Sequence, residues 1–185
     1  MSDALGFLQD QTFTRATGAT AASFPPRQRL TGAQLAGYLD RRAFAVVATT
    51  RADGRPHAAM CSYIRRGAIF WLPTVTGAVR ERNVIHQPWV SLVVSQGEHR
   101  EHVIVIVEGS AAIVAPGDVP PDVRSRASSD WVGSWIRVRA ERVMSYAADG
   151  ALPREGYSEP QPARAEPERA GPQPERGQTR EGEPR

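Results

Sequence analysis

The chain contains one cysteine, Cys61, and no lysine among its 185 residues. A single cysteine excludes an internal disulfide framework and fits a reducing compartment. The absence of lysine excludes Schiff-base chemistry, so any anion site has to use arginine, hydroxyl groups or backbone N–H groups. Apolar runs are short: none approaches the roughly 18 residues that span a bilayer, and the first fifteen residues lack the pattern of a secretory leader. We therefore expect a soluble, cytoplasmic protein with no membrane partner.

The net charge of +3 is carried by 23 arginines, which are interspersed with acidic residues. They do not form a stripe with interleaved aromatic side chains, which is the pattern of a nucleic-acid surface. We therefore expect no nucleic-acid partner. The segment EHREH (98–102) has histidines at positions 99 and 102, but no convincing third ligand accompanies them. We also expect no metal site.

Composition divides the chain into three parts. Residues 1–27 show no sustained apolar period and are interpreted as an N-terminal arm that packs on the body or on a partner chain. Residues 28–150 carry the patterns of a folded domain. Residues 151–185 are rich in proline, glycine, glutamate, glutamine and arginine, and such a segment cannot bury enough apolar surface to offset the entropy of ordering it. We predict that this tail is disordered.

The folded part begins with a helix and continues with strands. Thr31 and Gln34 form a capping box before a helix predicted over about residues 32–42. Apolar runs predict six strands, and glycine-containing turns join the first three as hairpins. These strands cover residues 43–50, 56–64, 68–73, 89–95, 102–114 and 134–146. The order of elements indicates a mainly β (α+β) fold, a six-stranded antiparallel barrel with a few short helices.

The segment PTVTGAVRERNV (73–84) places Thr74 and Thr76 ahead of a short predicted helix that carries Arg80 and Arg82. The first N–H groups of a helix have no partner within it and carry the positive end of its dipole, so a hydroxyl-rich bend followed by guanidinium groups suits a phosphate. A solvated helix face is the alternative explanation of the two arginines. Thr76 is the expected N-cap in both cases.

The series FAVVATTRADGRPHAAMCSYIRRGAIFWLPTVTGAVRERNV, with VIVIVEGSAAIV further on, resembles the flavin-binding split β-barrel family. That family comprises the pyridoxamine 5′-phosphate oxidase-like proteins and their deazaflavin-using relatives. The resemblance covers about residues 35–146. It is carried by AT at the end of strand one, DGRPH at the first turn, the Thr/Gly bend with a following basic residue and Asn83, a proline before strand four, and VEG in strand five. It implies a homodimer with the cofactor in a groove between the subunits.

The resemblance also implies positions for the cofactor. The ring system would lie along strand two, and the phosphate would lie where strand three runs into the inserted helix. His102 is a candidate to reach the neighbouring subunit's cofactor, and Trp131 is expected either to stack on a ligand or to bury interface area. The implied cofactor-binding residues are Met60, Cys61, Ser62, Thr74, Thr76, Arg80, Arg82, His102 and Trp131. The family often has a lysine where this chain has Arg80.

The leading function hypothesis is an FMN-dependent oxidoreductase that acts on an unidentified small molecule. The flavin itself would exchange the hydride, so no protein acid or base is required, and the catalytic residues stay unassigned. The alternative is a reductase on the same fold that uses the 8-hydroxy-5-deazaflavin coenzyme (coenzyme F-420), because both cofactors have a ribityl-phosphate stem. Two further alternatives are a non-catalytic split barrel that binds flavin or haem, and a structural dimer without a ligand.

Overall fold

The computed structural model describes residues 4–127, 130–149 and 151. These residues contain five α-helices and seven strands, besides short 3-10 turns. The helices are α1 (Ala4–Thr14), α2 (Gly18–Ser23), α3 (Gly32–Asp40), α4 (Val79–His86) and α5 (Pro121–Arg124). The strands are β1 (Phe44–Thr50), β2 (Pro56–Ser62), β3 (Ile64–Arg66), β4 (Ile69–Thr74), β5 (Trp89–Gln96), β6 (Val103–Val114) and β7 (Ser134–Ala147). From residue 152 onward, the predicted tail lies outside the described residues.

All seven strands belong to one antiparallel sheet with the order β2-β1-β5-β6-β7-β4-β3. The prediction of a mainly β fold with short helices is confirmed, although the number of strands is seven rather than six. The predicted second strand (56–64) is divided in two, because β2 pairs with β1 and β3 pairs with β4. β2 and β3 therefore lie at opposite ends of the sheet.

Tyr63 is the residue that joins these two ends. It is buried, its N–H donates to the carbonyl of Ala43, and its hydroxyl donates to the carbonyl of Leu39 at 2.7 Å. A single residue spans only about 3.5 Å, so the two ends of the sheet have to lie close together in space. The sheet is therefore curled into a half-barrel with a split between β2 and β4.

The inner face of the half-barrel encloses the main hydrophobic core. Its fully buried members include Phe70 and Leu72 from β4 and Ile136 and Val138 from β7. α3 closes one side of this core. The predicted capping box is present, because the Thr31 side chain accepts from the N–H of Gln34 while the Gln34 side chain accepts from the N–H of Thr31.

The N-terminal arm is helical and packs on the body of its own chain. Leu5 is fully buried, and the side-chain amide of Gln9 donates to the carbonyl of Leu30 at 2.8 Å. The N–H of Val143 donates to the hydroxyl of Thr12 at 3.0 Å. α1 is therefore attached to β7 by polar contacts as well as by apolar burial.

A smaller apolar cluster lies on the outer face of the sheet, where α5 and the neighbouring turns cover β4 and β7. Its buried members are Ile64, Trp71, Val119, Val123 and Trp135. Within the described part of the chain, no helix has the length and apolar character needed to cross a membrane.

Candidate functional site

The inner face of the half-barrel changes from apolar to polar at one end. Side chains two residues apart on a strand share a face. Thr74 follows the buried Leu72 on β4 in this way, and Ser134 precedes the buried Ile136 on β7. Thr74 and Ser134 are directly paired across the two strands, and both are buried. The barrel therefore ends in hydroxyl groups rather than in aliphatic side chains.

α4 lies across this polar end and contacts it through two side chains. The Nε of Arg80 donates to the Oγ1 of Thr74 at 2.6 Å, and the Nδ2 of Asn83 donates to the Oγ1 of Thr49 at 2.9 Å. Residues three apart lie on the same face of a helix. These two contacts therefore fix both the position and the rotation of α4 on the barrel.

Arg80 also acts on the thiol of Cys61, which points into the core from β2. Burial raises the pKa of Cys61, and the positive charge of Arg80 partly offsets this rise. Cys61 is only 5% exposed and is therefore a protonated core residue rather than a nucleophile. The guanidinium of Arg80 consequently lies between β2 and β4, at the split of the barrel.

The loop between β4 and α4 is held by residues of the helix itself. Gly77 has a φ of +76°, its N–H donates to the carboxylate of the buried Glu81, and its carbonyl accepts from a terminal nitrogen of Arg82. The prediction that Thr76 is the N-cap is wrong, because the turn at Gly77 delays the helix and Ala78 occupies that position without a capping side chain. The N–H of Gly77 is therefore already used.

A second segment, residues 131–134, packs against this loop. The N–H of Gly133 donates to the carbonyl of Thr74 at 3.1 Å. A Cβ atom at Gly133 would lie 2.2 Å from the Oγ1 of Thr76, so any other residue in this position requires the Thr76 side chain to move. The hydroxyl of Ser134 has no hydrogen-bond partner among the residues that the structure describes. We refer to Thr74, Thr76, Arg80, Gly133 and Ser134 as the cradle.

The structure places the predicted site residues in three different regions. Thr74, Thr76, Arg80 and Arg82 lie together around the cradle. Met60 and Ser62 are on the outer face of β2, where Met60 is 67% exposed, and Trp131 is 48% exposed two residues before Gly133. His102 lies next to the start of β6, beside the end of β7 opposite to Ser134, and its ring stacks on Tyr146 with centroids 5.1 Å apart. Within one chain, His102 is thus separated from the cradle.

Sequence reasoning missed Gly133 and Ser134. They precede a strand whose pairing with β4 brings them beside Thr74 from a position 60 residues away in the chain. A glycine between two tryptophans was visible in the sequence, but nothing local indicates which loop it would contact.

We predict that Gly133→Ala displaces the loop at Thr76, because the new methyl group overlaps the threonine hydroxyl. Such overpacking is expected to cost about 1 kcal/mol, measured as the change in the free energy of urea unfolding. The double variant Thr76→Ala/Gly133→Ala removes the overlapping oxygen and should recover most of the loss. Equal stability of Gly133→Ala and the wild type would contradict the described contact.

Comparison with known proteins agrees with this architecture. Residues 31–152 match the family model of pyridoxamine 5′-phosphate oxidase. The chain therefore belongs to the pyridoxamine 5′-phosphate oxidase family, and its fold is the split barrel of that family. No protein of curated function matches the chain.

Several solved structures share the fold. A conserved hypothetical protein from Mycobacterium tuberculosis is 21% identical with a TM-score of 0.59, and the match covers 74% of this chain and 98% of that chain. An FAD-binding protein from Mesorhizobium loti is 20% identical with a TM-score of 0.52, and the match covers 64% of this chain and 93% of that chain. A haem-binding protein from Mycobacterium smegmatis is 19% identical with a TM-score of 0.51, and the match covers 64% of this chain and 55% of that chain. At these identities the similarity concerns the fold alone.

Proposed function

We propose that this protein is an FMN-dependent oxidoreductase that acts on a small molecule as a homodimer. The observation that carries the proposal is the arrangement of Arg80 at the split of the barrel. Its Nε is held by Thr74, while its two terminal nitrogens make no hydrogen bond to the described residues. A guanidinium fixed in this way presents two parallel donors, which is the geometry that a phosphate accepts.

The cradle fits the phosphate end of a flavin cofactor. The exposed hydroxyl of Thr76 and the buried hydroxyl of Ser134 supply further polar groups around Arg80. Buried polar groups are normally hydrogen-bonded, so the hydroxyl of Ser134, which has no partner among the described residues, is a candidate to bind the phosphate. When bound, the flavin would supply the hydride chemistry. The residues of the chain would bind its phosphate and orient it through Thr74.

The outer face of the sheet supports the proposed dimer. Met60, Val46, Val93, Ile106 and Met144 are successive cross-strand neighbours on five strands, and we call them the outer apolar row. Met60 is 67% exposed and Val46 is 36% exposed, and Phe44 beside them is also exposed. A groove of about 320 Å³ runs along Phe44 and Met60. A continuous apolar row of this kind is typical of a subunit interface, and the groove offers an apolar wall for a ring system.

The test is a titration of the ligand-free protein with FMN, with the 8-hydroxy-5-deazaflavin coenzyme and with haem, followed by absorbance and light scattering. We expect FMN to bind at one site per subunit of a dimer, and NADPH to bleach the bound flavin under anaerobic conditions. Preferential binding of the deazaflavin would favour the alternative reductase. Binding without bleaching by NADPH or NADH would indicate a storage or sensing protein, and the absence of any binding would refute the proposal.

Met60→Glu tests the proposed subunit interface, and Arg80→Ala is its control. A carboxylate in the outer apolar row would be desolvated at an interface, so we expect monomers and weakened FMN binding. Arg80→Ala should weaken FMN binding while the mass stays that of a dimer. If Met60→Glu also remains a dimer, the outer apolar row is not the subunit interface.

A further inference from the structure

The helix that carries Arg80 is too short to hold its own position. α4 has eight residues, and isolated helices shorter than about 12–15 residues are marginal in water. Its N-cap residue, Ala78, makes no side-chain capping hydrogen bond. Arg80 adds a long side chain with several rotatable bonds to this short helix. The position of its guanidinium group therefore depends on the contacts that α4 makes with the rest of the chain.

The contacts of α4 differ in how strongly they constrain the helix. Val84 is buried in the main core, but apolar packing is non-directional. Glu81 accepts from the N–H of Gly77, which belongs to the loop just before the helix and not to the barrel. Asn83 differs from both, because its Nδ2 donates to the Oγ1 of Thr49 at 2.9 Å, and a hydrogen bond constrains a distance and an angle together. This contact therefore fixes how far α4 is rotated about its axis.

Thr49 is a rigid anchor for this contact. It is buried and lies on β1, which is paired with β2 on one side and with β5 on the other. His57 is directly opposite on β2: its carbonyl accepts from the Oγ1 of Thr49 at 3.5 Å, and its ring Nδ1 lies 3.4 Å from the same oxygen. The hydroxyl proton thus has acceptors on β2, and the lone pairs of the oxygen serve the amide of Asn83.

The anchor and the guanidinium group are coupled through the helix. Asn83 and Arg80 are three residues apart, about 4.5 Å along the axis of α4, and they contact strands on opposite sides of the split. Asn83 is only 5% exposed, so a ligand bound at Arg80 does not need to touch it. If the bond to Thr49 is lost, α4 can rotate, and the Nε of Arg80 moves away from its acceptor on β4.

We infer that Asn83 and Thr49 are positioning residues, which fix the guanidinium of Arg80 and thereby make the site select a phosphorylated flavin over an unphosphorylated one. The inference rests on the proposed function, because it takes the phosphate to bind at Arg80. Riboflavin has the ring system and ribityl chain of FMN but no phosphate. The ratio of the FMN affinity to the riboflavin affinity therefore measures the phosphate contact, since contacts to the ring cancel.

The first test measures this ratio by fluorescence titration of the full chain with FMN and with riboflavin. We expect the wild type to prefer FMN, and Asn83→Ala and Thr49→Val each to reduce the ratio by about tenfold, through loss of one charge-assisted hydrogen bond. The double variant Thr49→Val/Asn83→Ala should reduce it no further, because all three variants lack the same contact. Thr49→Ser keeps the hydroxyl group and should keep the ratio.

Val84→Ala is the matched control on the same helix. It removes two buried methyl groups and should lower the melting temperature, but it leaves the bond between Asn83 and Thr49 in place. We expect the preference for FMN to stay as in the wild type. The inference is overturned if Val84→Ala reduces the ratio as far as Asn83→Ala does, or if Asn83→Ala and Thr49→Val both keep a ratio that Arg80→Ala abolishes.

A second readout needs no flavin. The Nε–H resonance of Arg80 in the ligand-free protein is identified by its absence from the nuclear magnetic resonance spectrum of Arg80→Ala. Its hydrogen bond to the buried Thr74 should make exchange with water slow, and Asn83→Ala should accelerate this exchange by about tenfold or more. Exchange as slow as in the wild type would overturn the inference. Faster exchange, together with a wild type that binds riboflavin as tightly as FMN, would refute the proposed function while supporting the positioning of Arg80 by Asn83.

Discussion

Replacing Arg80 by alanine is expected to weaken FMN binding by roughly 30- to 150-fold. The change removes charge-assisted hydrogen bonds to the cofactor phosphate that are worth roughly 2–3 kcal/mol, and about 1.4 kcal/mol corresponds to a factor of ten in affinity. The measurement is a fluorescence titration of ligand-free protein with FMN and, in parallel, with the deazaflavin coenzyme. Unchanged affinity in a folded variant would leave α4 as a solvated helix without a role in binding.

Arg80→Ala is also expected to affect stability, because the Arg80 side chain is half-buried and holds a buried hydroxyl group. The variant leaves the Oγ1 of Thr74 buried without its donor. An unsatisfied buried hydroxyl costs about 1–3 kcal/mol. The double variant Thr74→Val/Arg80→Ala replaces that hydroxyl by a methyl group of similar shape, so it should recover stability but not FMN affinity. Recovery of both would show that Arg80 acts only through the fold.

Arg82→Ala is the matched control on the same helix. Arg82 is exposed and donates to the carbonyl of Gly77, on the loop rather than at the split of the barrel. We therefore expect a smaller loss of FMN affinity than for Arg80→Ala. A larger loss would mean that the phosphate lies over the loop instead of beside Thr74.

The local elements of this fold could be predicted from the sequence because their signals are local. The capping box at Thr31 and Gln34 involves residues three positions apart, and both of its hydrogen bonds are present. The strands were visible as apolar runs between turns. Their pairing was predicted correctly as antiparallel, since consecutive strands joined by short turns usually form hairpins.

The division between β2 and β3 could not be predicted in this way. Residues 56–64 read as one continuous strand, and nothing in the segment shows that its last residues pair with β4 instead of β1. The change of partner depends on the closure of the sheet, which is a property of the whole chain. Tyr63 stabilises the crossing through a hydrogen bond to Leu39, a contact across 24 residues.

The helix α1 was not predicted from the sequence, for a different reason. Its buried residues are Leu5, Gln9 and Thr12, which have the spacing of one helical face. Two of the three are polar, and they are buried because they form hydrogen bonds to Leu30, Ser145 and Val143. The apolar periodicity of the sequence therefore does not predict α1, although the structure has a helix there that packs on β7.

Only the part of the candidate site that lies within one short segment of the chain was predicted from the sequence. Thr74, Thr76 and Arg80 occupy one short segment, so their proximity follows from the sequence. Gly133 and Ser134 join them through the register of β4 with β7, which no short-range pattern encodes. The cradle therefore combines a predictable loop with a strand end that only the tertiary structure brings into place.

Gly109→Ala is expected to cause a large loss of stability. Gly109 lies at the irregularity where the pairing of β6 with β7 shifts by one residue, and it is buried. A Cβ atom there would lie 1.9 Å from the carbonyl oxygen of Arg139 and 3.1 Å from the Cα of Ala140. Both contacts are with backbone, which cannot move away as a flexible side chain can. We expect a cost of about 3 kcal/mol or more, at the upper end of overpacking.

The melting temperature of Gly109→Ala should therefore be lower than that of the wild type by roughly 6–12 °C, since about 1 kcal/mol corresponds to about 2–4 °C in a domain of this size. Gly18→Ala is the control, because nothing lies within 4 Å of a Cβ at that helical position. Its melting temperature should stay the same or rise slightly. The glycine of VEG is thus explained by a bulge that needs close approach of two backbones. A Gly109→Ala protein as stable as the wild type would show that β6 and β7 can separate at this point.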